Sequence, residues 1–360
     1  MRPVLIYGAY GRTGRLIVEQ AARLPGWRLI LAGRDPGRLA ELARPLGLET
    51  RAFTLDRPEA VRDGLREVGV VVNAAGPYAA TAERLAKSAI RVGAHYADLC
   101  GEEAAWRQVK ALDRLAAESR VALVCGAAVT PGLSALLLAS LVARQVLPRF
   151  LGEVRIVLSR PDGLGSGSLR TLWESSLDRV LVVRQGVERT VPVGRHEHLI
   201  DFGATRPGPR IAMAAGLVDT LAVADTLAAA AIRADGICSF VEAGSGSRWL
   251  ADAAAWAAPL RTLPTSRPMA ALAASLLDAT PVEPLVVALQ VEDPWRAPLV
   301  DQRFTVPEPY SASAAIAVAA ARLLAQAQPE SVYGWKGIGT LLRGQSELAT
   351  SMDSLEPISR

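Results

Sequence analysis

VLIYGAYGRTG, the stretch from Val4 to Gly14, decides the fold of the N-terminal part of the chain. Its first residues, Val4–Tyr7, form an apolar run of the kind that makes a buried parallel strand. Three glycines follow at the spacing G-x-x-G-x-x-G, and a helical pattern begins directly after them. A strand, a glycine turn and a helix in this order are typical of a turn that binds the phosphates of a dinucleotide.

Each of the three glycines has a separate expected task. Gly8 allows a tight turn, Gly11 lets the backbone approach a pyrophosphate, and Gly14 lets the helix pack closely on the strand. The phosphates would lie at the positive end of the helix, against free backbone N–H groups. A glycine-rich turn without a ligand is the alternative, and the strand and helix on either side favour the dinucleotide.

Outward from this turn, strand and helix patterns alternate as far as Cys125. Because helices separate the consecutive strands, the connections should be right-handed crossovers and the strands should be parallel. This order predicts an α/β unit of the Rossmann type, with a doubly wound parallel sheet. The predicted strands are Val4–Tyr7, Arg28–Gly33, Thr50–Leu55, Val68–Ala75, His95–Leu99 and Val121–Cys125.

From about Gly152 onward this alternation of strands and helices stops. A hairpin is predicted at Gly186, and the arrangement indicates a second, α+β domain with a mixed or antiparallel sheet. The strands expected there are Glu153–Ser159, Leu181–Val193, Glu197–Phe202 and Pro284–Val291, and the later helical regions are Leu133–Val142, Ser247–Leu277 and Ala312–Ala327.

The residues after the second strand bear on the choice of cofactor. Arg34 stands where an NAD site carries an acid, and its planar guanidinium suits a 2′-phosphate. Gly33 leaves room for that group and Arg38 could add a second cation, so the sequence favours NADP. In the alternative, Asp35 serves NAD while Arg34 points to solvent. Asp56, after the third strand, is expected to accept from the adenine amino group or to cap the following helix.

Candidate reacting groups follow the fourth and fifth strands, because ligands of such sheets lie beyond the carboxyl ends of the strands. Asp98 is the preferred acid or base, and Glu102 is the alternative, although Glu102 could simply begin a helix. Tyr78 could donate a proton, stack on the substrate or pack in a loop. Cys125, after the sixth strand, is expected near the nicotinamide carboxamide. The complete set predicted to hold the cofactor is Gly8, Tyr10, Gly11, Arg12, Thr13, Gly14, Arg34, Asp56, Ala75, Gly76, Pro77 and Cys125.

Composition excludes several other classes of protein. The net charge is only +4 over 360 residues and no basic run occurs, so we expect no nucleic-acid partner. Three separated cysteines and three histidines indicate neither a disulfide framework nor a metal site, and we interpret His196 and His198 as a solvated pair on one strand face. The apolar segments are too short or too interrupted for a membrane span, so a cytoplasmic protein with reduced thiols is expected. Neither a Tyr-x-x-x-Lys dyad nor a G-x-S-x-G elbow occurs.

Several longer motifs also occur in one order along the chain. They are YGAYGRTGRL (Tyr7–Leu16), LAGRDPGRL (Leu31–Leu39), VNAAGPY (Val72–Tyr78), GAHYADLCGE (Gly93–Glu102), CGAAVTPGL (Cys125–Leu133) and PEPYSASAA (Pro307–Ala315). In this order they resemble the saccharopine dehydrogenase-like oxidoreductases, a family that includes trans-acting enoyl reductases of lipid biosynthesis.

The resemblance implies a domain layout and a cofactor. It places a Rossmann domain at 1–132, a substrate and dimerisation domain at 133–305, and C-terminal helices at 306–360 that pack back on the first domain. The family's usual AGR after the second strand implies NADP. The chain departs from the family at Cys125–Ala128, which replaces the acidic GFD-type turn that the family often has.

Two functions follow from these features. The first is an NADPH-dependent oxidoreductase that reduces a C=N or C=C bond of a small, hydrophobic substrate. An apolar pocket is expected from Leu172, Trp173, Ile211 and Met213, and apolar strand faces indicate a homodimer. The second function is that of a non-catalytic NADP-binding regulator or redox-sensing protein, because no unmistakable catalytic dyad is present.

Overall fold

The computed structural model describes residues 2–159, 179–192, 196–243, 284–326 and 333–342. The described residues fall into two compact units. The first runs to Leu136 and resumes at Tyr310, and the second covers Leu137–Pro309. The domain division predicted at residues 132 and 305 stays a prediction.

The first unit is built on a sheet of seven parallel strands. Its N-terminal strands are β1 (Val4–Tyr7), β2 (Leu29–Gly33), β3 (Glu49–Ala52), β4 (Val70–Asn73), β5 (His95–Asp98) and β6 (Ala122–Cys125). Across the sheet the order is Gly334–Gly337, β6, β5, β4, β1, β2 and β3. The order reverses between β1 and β4, which is the switch point where ligands of such sheets bind. The predicted doubly wound parallel sheet is confirmed.

Helices connect these strands. They are α1 (Arg12–Ala22), α2 (Pro36–Ala43), α3 (Pro58–Gly64), α4 (Tyr78–Val92), α5 (Glu103–Lys110) and α6 (Asp113–Glu118), and α7 (Ser134–Ala143) follows β6 and leads along the chain into the second unit. Every residue of β1, β2, β4 and β6 is buried, as expected for parallel strands covered on both faces. The edge strand β3 is polar and largely exposed, and its Glu49 carboxylate pairs with the guanidinium groups of Arg28 and Arg51.

The second unit contains a mixed sheet of eight strands. The strands are β7 (Phe150–Leu158), β8 (Arg179–Arg184), β9 (Val187–Pro192), β10 (Glu197–Asp201), β11 (Pro209–Ala214), β12 (Arg233–Glu242), β13 (Leu285–Glu292) and β14 (Pro298–Val306), and one helix is α8 (Asp219–Ala229). The main order is β10, β11, β12, β7, β13 and β14, while β8 pairs with β12 and β9. The β7–β12 pair is parallel and the other described pairs are antiparallel, which confirms the mixed sheet.

The core of the second unit lies against one face of this sheet. Alternate residues of neighbouring strands share the face, because side chains along a strand point in turn to opposite sides. Helix α8 is tied to the sheet by a buried hydrogen bond of 2.8 Å between the hydroxyls of Thr220 and Ser239. The core residues are Val157, Val180, Val182, Ile200, Phe202, Ala212, Ala214, Cys238, Phe240, Val286 and Ala288.

The chain then returns to the first unit through α9 (Pro309–Gln326), the strand Gly334–Gly337 and α10 (Ile338–Leu342). Gln20 Nε2 in α1 donates to the Ser311 carbonyl at 3.0 Å, which ties α9 to the N-terminal part of the unit. The ring of Trp335 packs edge-on against Trp106 with 5.0 Å between centroids. These contacts make the C-terminal segment part of the first unit's sheet and core.

Several elements differ from those predicted. The strand Gly334–Gly337 escaped prediction because it is short and contains two glycines. Strands β11, β12 and β14 were also missed, since long apolar runs and prolines obscure their alternation. The helical region Ser247–Leu277 and the pocket residues Leu172 and Trp173 lie outside the described residues. Among the described helices, none has both the length and the apolar character that crossing a membrane requires.

We predict that Gly14→Ala destabilises the first unit, because α1 is packed directly on the turn before it. A Cβ at Gly14 would overlap the Gly8 carbonyl oxygen and lie 2.9 Å from the Ala9 carbonyl oxygen. The expected loss in the free energy of unfolding is about 1–3 kcal/mol, the usual cost of overpacking, measured by urea denaturation. Gly37→Ala, also in the first turn of a helix, is the control and should cause no loss. Equal urea midpoints for the two variants would contradict the packing argument.

Candidate functional site

The glycine turn lies directly against the end of β4. Gly8 has a φ of +84°, a conformation that favours glycine. A Cβ there would come within 2.9 Å of the Ala74 carbonyl carbon and the Ala75 nitrogen. The turn is closed by the Gly11 N–H, which donates to the Gly8 carbonyl at 2.9 Å. The backbones of the two loops therefore touch at the switch point of the sheet.

The N-terminus of α1 opens at this turn. Its N-cap is Gly11, which is extended (φ −69°, ψ 167°) and has no side chain that could accept from the helix. The N–H groups of Arg12, Thr13 and Gly14 begin the helix, where such groups have no carbonyl four residues earlier within the helix to bond to. Together with the helix dipole, they form a site suited to the pyrophosphate of a dinucleotide.

Tyr10 organises the end of β2. Its hydroxyl accepts from the Arg34 N–H at 3.2 Å, and the Arg38 guanidinium carbon lies 4.5 Å from the centre of its ring. A Cβ at Gly33 would lie 2.6 Å from this ring. Gly33 therefore makes room for Tyr10, whereas the sequence assigned that room to a phosphate. Both arginines are exposed beside the turn.

The two acids near this turn have different environments. Asp35 is the N-cap of α2, and its Oδ1 accepts from the Arg38 N–H at 3.1 Å. Asp56 is exposed, and a hydrogen bond from Thr54 is the main cause that lowers its carboxyl pKa. Helix α3 begins after Arg57 without a side-chain cap, so the capping role considered for Asp56 does not occur.

The carboxylate of Asp98 lies entirely in the interior at the end of β5. Its Oδ1 accepts from the backbone N–H groups of Cys100 (3.0 Å) and Gly126 (3.1 Å). Its Oδ2 accepts from the Tyr96 hydroxyl (2.9 Å) and the Cys125 thiol (3.3 Å). Burial raises the pKa of Asp98 to about 6, against these hydrogen bonds, which lower it. Asp98 thus joins the ends of β5 and β6.

A second part of this network holds the loop after β4. The side-chain amide of Asn73 donates to the Tyr96 hydroxyl and to Thr81 Oγ1, both at 3.2 Å. Asn73 Oδ1 accepts from the Ala75 N–H at 3.0 Å, and the Thr81 hydroxyl donates to the Ala75 carbonyl at 2.6 Å. No role was predicted for Asn73, Thr81 or Tyr96. In the sequence, Asn73 is a polar residue at the end of an apolar strand. A polar residue buried at such a place has to find hydrogen-bond partners, and that is how its role could have been inferred.

Glu102 serves a helix other than the one it precedes. Its position is the N-cap of α5, yet its carboxylate oxygens accept from the backbone N–H groups of Tyr78 (2.9 Å) and Ala79 (2.7 Å) in the first turn of α4. A carboxylate is favoured at a helix N-terminus by the dipole and the open N–H groups. Glu102 is 6% exposed, so it binds the α4 terminus from inside the unit.

Tyr78 completes the cluster of predicted catalytic residues. Burial is the main cause that raises the pKa of its phenol well above the usual value, and nearby Asp98, Cys100 and Glu102 raise it further. The phenol therefore keeps its proton at neutral pH. Across the described ranges its hydroxyl makes no hydrogen bond, in contrast to the carboxylates of Asp98 and Glu102. The structure brings the three predicted residues together, and Tyr78 is the one with an available proton.

Cys125 is fully buried and bonded to Asp98. Its thiol faces the interior network, so the backbone that follows Cys125 is left to line the edge of the sheet.

The guanidinium of Arg12 stacks on Tyr310 of α9, with 4.0 Å from its central carbon to the ring centre. Tyr310 is far from Arg12 along the chain, so the sequence around Arg12 could not predict this contact.

The second unit has a cavity of about 420 Å³ on its sheet. It differs from the apolar pocket predicted from the sequence, because Ile211 is exposed and Met213 is buried.

His198 is half-buried and bonds to Gln290, with 2.7 Å between Nε2 and Oε1. The interpretation of His196 and His198 as a solvated pair was therefore wrong for His198. The described residues contain no group that could hold a metal ion. The cavity is lined by Glu153, Arg155, Arg184, His196, Glu197, His198, Phe240 and Arg296.

We predict that Asp98 gives the protein a pH dependence opposite to that of most carboxylates. Its pKa of about 6 exceeds the usual value of about 3.9, so between these values the folded state holds a proton that the unfolded state has released. Stability from this group therefore falls as the pH rises through this interval. Between about pH 4 and pH 7, wild type should lose about 2–3 kcal/mol of unfolding free energy relative to Asp98→Asn, measured by urea denaturation. Parallel pH profiles of the two proteins would refute this assignment.

Comparisons with known proteins agree with this geometry. Residues 4–124 match the family model of the saccharopine dehydrogenase NADP binding domain. A lipid droplet localized protein of Caenorhabditis elegans is 32% identical over 113 residues, which cover 28% of this chain and 26% of that protein. The matched stretch is thus about a quarter of that relative's length.

Solved structures extend the likeness to both units. Apo saccharopine dehydrogenase (L-Glu forming) of Saccharomyces cerevisiae superposes with a TM-score of 0.68, covering 98% of each chain at 13% identity. A homospermidine synthase of Legionella pneumophila in complex with NAD superposes with a TM-score of 0.61, covering 95% of this chain and 88% of the other at 9% identity. The resemblance inferred from the motifs is confirmed. Residues 4–124 thus match the saccharopine dehydrogenase NADP binding domain family, and the described units share the fold of saccharopine dehydrogenase.

Proposed function

We propose that the protein is an NADPH-dependent oxidoreductase that reduces a C=N or C=C bond of a small molecule. Its fold is that of an NAD(P)-binding oxidoreductase. The observation that carries the proposal is the open N-terminus of α1 beside Tyr10 and Arg34, at the switch point of the sheet. When bound, the cofactor would supply the hydride, and the chain would bind, orient and protonate.

The residues of the turn fit a dinucleotide with a 2′-phosphate. The N–H groups at the start of α1 would hold the pyrophosphate. Arg34 and Arg38 present two exposed guanidinium groups at the end of β2, where NADP carries its extra phosphate. Asp35 is occupied as the cap of α2, which weighs against a role on the ribose of NAD. Asp56, exposed after β3, would accept from the adenine amino group.

The nicotinamide end would lie beyond β4, along Ala75, Gly76 and Pro77. These small residues and the proline let a ribose approach the backbone. The hydrogen bonds of Asn73 and Thr81 hold Ala75 in place. Cys125 acts from behind this surface, through its bond to Asp98.

For the proton, we assign Tyr78 as the donor and Asp98 and Glu102 as positioning residues. The sequence favoured Asp98, but its oxygens already accept four hydrogen bonds away from solvent. Glu102 holds the backbone of Tyr78 and Ala79. Tyr78 has a protonated phenol, so it can deliver a proton to the nitrogen or carbon left after hydride transfer.

The proposal defines the substrate only by the bond that is reduced, a C=N or C=C bond. A hydrophobic substrate was inferred from apolar residues in the second half of the chain. The charged cavity of the second unit does not add to that inference. The C. elegans relative is named for its location on lipid droplets, which is compatible with a lipid-like substrate.

Assembly and location complete the proposal. A homodimer is supported by Leu199 and Ile211, which are neighbours on β10 and β11 and are 66% and 51% exposed. A cytoplasmic location is supported by three cysteines that are free and buried.

A non-catalytic NADP-binding regulator is the second candidate. It is favoured by one observation, namely that both predicted carboxylates are occupied by structural hydrogen bonds. Steady oxidation of NADPH in the presence of an imine or enoyl substrate distinguishes the enzyme from the regulator. A stoichiometric complex with NADPH and no turnover on either substrate class would favour the regulator.

We predict that Arg34→Ala weakens the binding of NADPH much more than the binding of NADH. Charge-assisted hydrogen bonds contribute roughly 1.5–3 kcal/mol, so the dissociation constant for NADPH should rise by about 10- to 100-fold. The constant for NADH should change by less than about threefold. Calorimetric or fluorescence titration measures both constants. Arg44→Ala, at the other end of α2, is the control and should change neither, and equal losses for the two cofactors in Arg34→Ala would overturn the assignment of the 2′-phosphate.

We predict that Tyr78→Phe lowers kcat while leaving NADPH binding unchanged. The ring is retained and only the proton is lost, so kcat should fall by about 10²- to 10⁴-fold with little change in KM. Stopped-flow absorbance of NADPH gives the rate and fluorescence titration gives the binding constant. If the variant kept more than half of the wild-type kcat, a group other than Tyr78 would be the proton donor.

A further inference from the structure

Four apolar side chains are exposed at one end of the sheet of the second unit. Trp295 is 84% exposed, Phe150 61%, Val146 54% and Leu299 41%. We call this set the apolar tip. Single exposed apolar residues are ordinary, but a group that includes two exposed aromatic rings marks an interaction site.

The strand register places the segments that carry the apolar tip at one end of the sheet. Strand β13 runs antiparallel to β7, with Val291 opposite Val154. A Cβ at Gly152 would overlap the Asp293 carbonyl oxygen. The start of β7, at Phe150, and the turn that follows β13, with Trp295, are therefore at the same end of the sheet.

The turn that carries Trp295 is held by Asp293. Its Oδ1 accepts from the N–H groups of Trp295 and Ala297, both at 2.8 Å, and its own N–H donates to the Ala297 carbonyl at 2.9 Å. The Arg296 N–H donates to the Asp293 carbonyl at 3.0 Å. These bonds fix the backbone of the turn that carries the exposed indole, so little backbone freedom is lost when a ligand binds.

Arginines surround the apolar tip. Arg144 and Arg149 flank Val146, and both are exposed. Arg233 is bound beside them, since its N–H donates to the Arg149 carbonyl at 2.9 Å. Arg296, next to Trp295, has a side chain that is 69% exposed, and its Nη1 lies 3.8 Å from Glu292 Oε2. Aromatic rings among arginines complement a surface that is apolar inside and negative outside.

We propose that the apolar tip docks on a membrane surface rich in anionic phospholipids. Trp295 and Phe150 would enter the interface between headgroups and acyl chains, where aromatic side chains are favoured. The arginines would lie at the level of the phosphates.

The area of the apolar tip argues against a second copy of the chain as the occupant. An aromatic side chain buries roughly 150–250 Å², and each of the four members exposes only part of its surface. A specific protein interface needs about 800 Å² per partner. A lipid surface has no such minimum, because a few inserted side chains and several charges together hold a peripheral protein.

The test is flotation of the full-length protein with large unilamellar vesicles. Vesicles of equal parts phosphatidylcholine and phosphatidylserine should retain the protein at low salt, and vesicles of pure phosphatidylcholine should retain at least tenfold less. Trp295→Ser should weaken binding to the anionic vesicles about tenfold or more, and each of Arg149→Gln and Arg296→Gln about fivefold. Lipids brominated in the acyl chains should quench part of the tryptophan fluorescence of wild type, and that part should be absent in Trp295→Ser.

Val187→Ser is the matched control. Val187 is 53% exposed and follows the Gly186 turn of another hairpin in the same unit, so its loss should leave vesicle binding unchanged. Circular dichroism and a thermal unfolding curve of each variant show that the protein is folded. Absence of binding to anionic vesicles, or equal binding by Trp295→Ser, would overturn the proposal. A change in molecular mass of Trp295→Ser in light scattering would also overturn it and make the apolar tip a contact between copies.

Discussion

The buried carboxylate of Asp98 is the interaction on which the rest of the candidate site depends. Each of its oxygens accepts two hydrogen bonds, Oδ1 from the N–H groups of Cys100 and Gly126 and Oδ2 from the Tyr96 hydroxyl and the Cys125 thiol. Parallel strands have no hairpin to set their ends, so the loops after β5 and β6 need another constraint. A carboxylate taken out of water supplies it, since an unmet donor or acceptor there would be costly.

That constraint leads to a division of tasks among the polar groups. Asp98 and Glu102 are acids, yet both are used to hold backbone N–H groups, one at two strand ends and one at the start of α4. The groups left to meet a ligand are the N–H groups of α1, the guanidinium groups after β2 and the phenol of Tyr78. In the proposed function, backbone and cationic donors would bind the cofactor's phosphates, and Tyr78 would be the single neutral acid at the other end of the site.

The second unit uses its charges differently. Arg155 bonds to Glu292 on the neighbouring strand, and Arg184 bonds to Glu153 across Gly236 of the strand between them, at distances from 2.6 to 3.1 Å. These ion pairs lie on the same sheet as the aliphatic core. One part of the sheet therefore buries apolar side chains, and another part carries paired charges. At the end of this sheet the apolar tip departs from this pattern, because its aromatic rings are exposed and the backbone of the turn that carries Trp295 is held by Asp293.

The sequence by itself determined the elements whose signals are local. Val4–Tyr7, the glycine spacing after it and the alternation up to Cys125 predicted the parallel sheet, because burial on both faces demands apolar runs and a tight turn demands glycine. Only the tertiary structure decided that Asp98 is occupied, that Glu102 caps α4, and that Gly334–Gly337 extends the sheet. Those outcomes join residues far apart along the chain, and which of them meet depends on strand order and packing, which no local spacing contains.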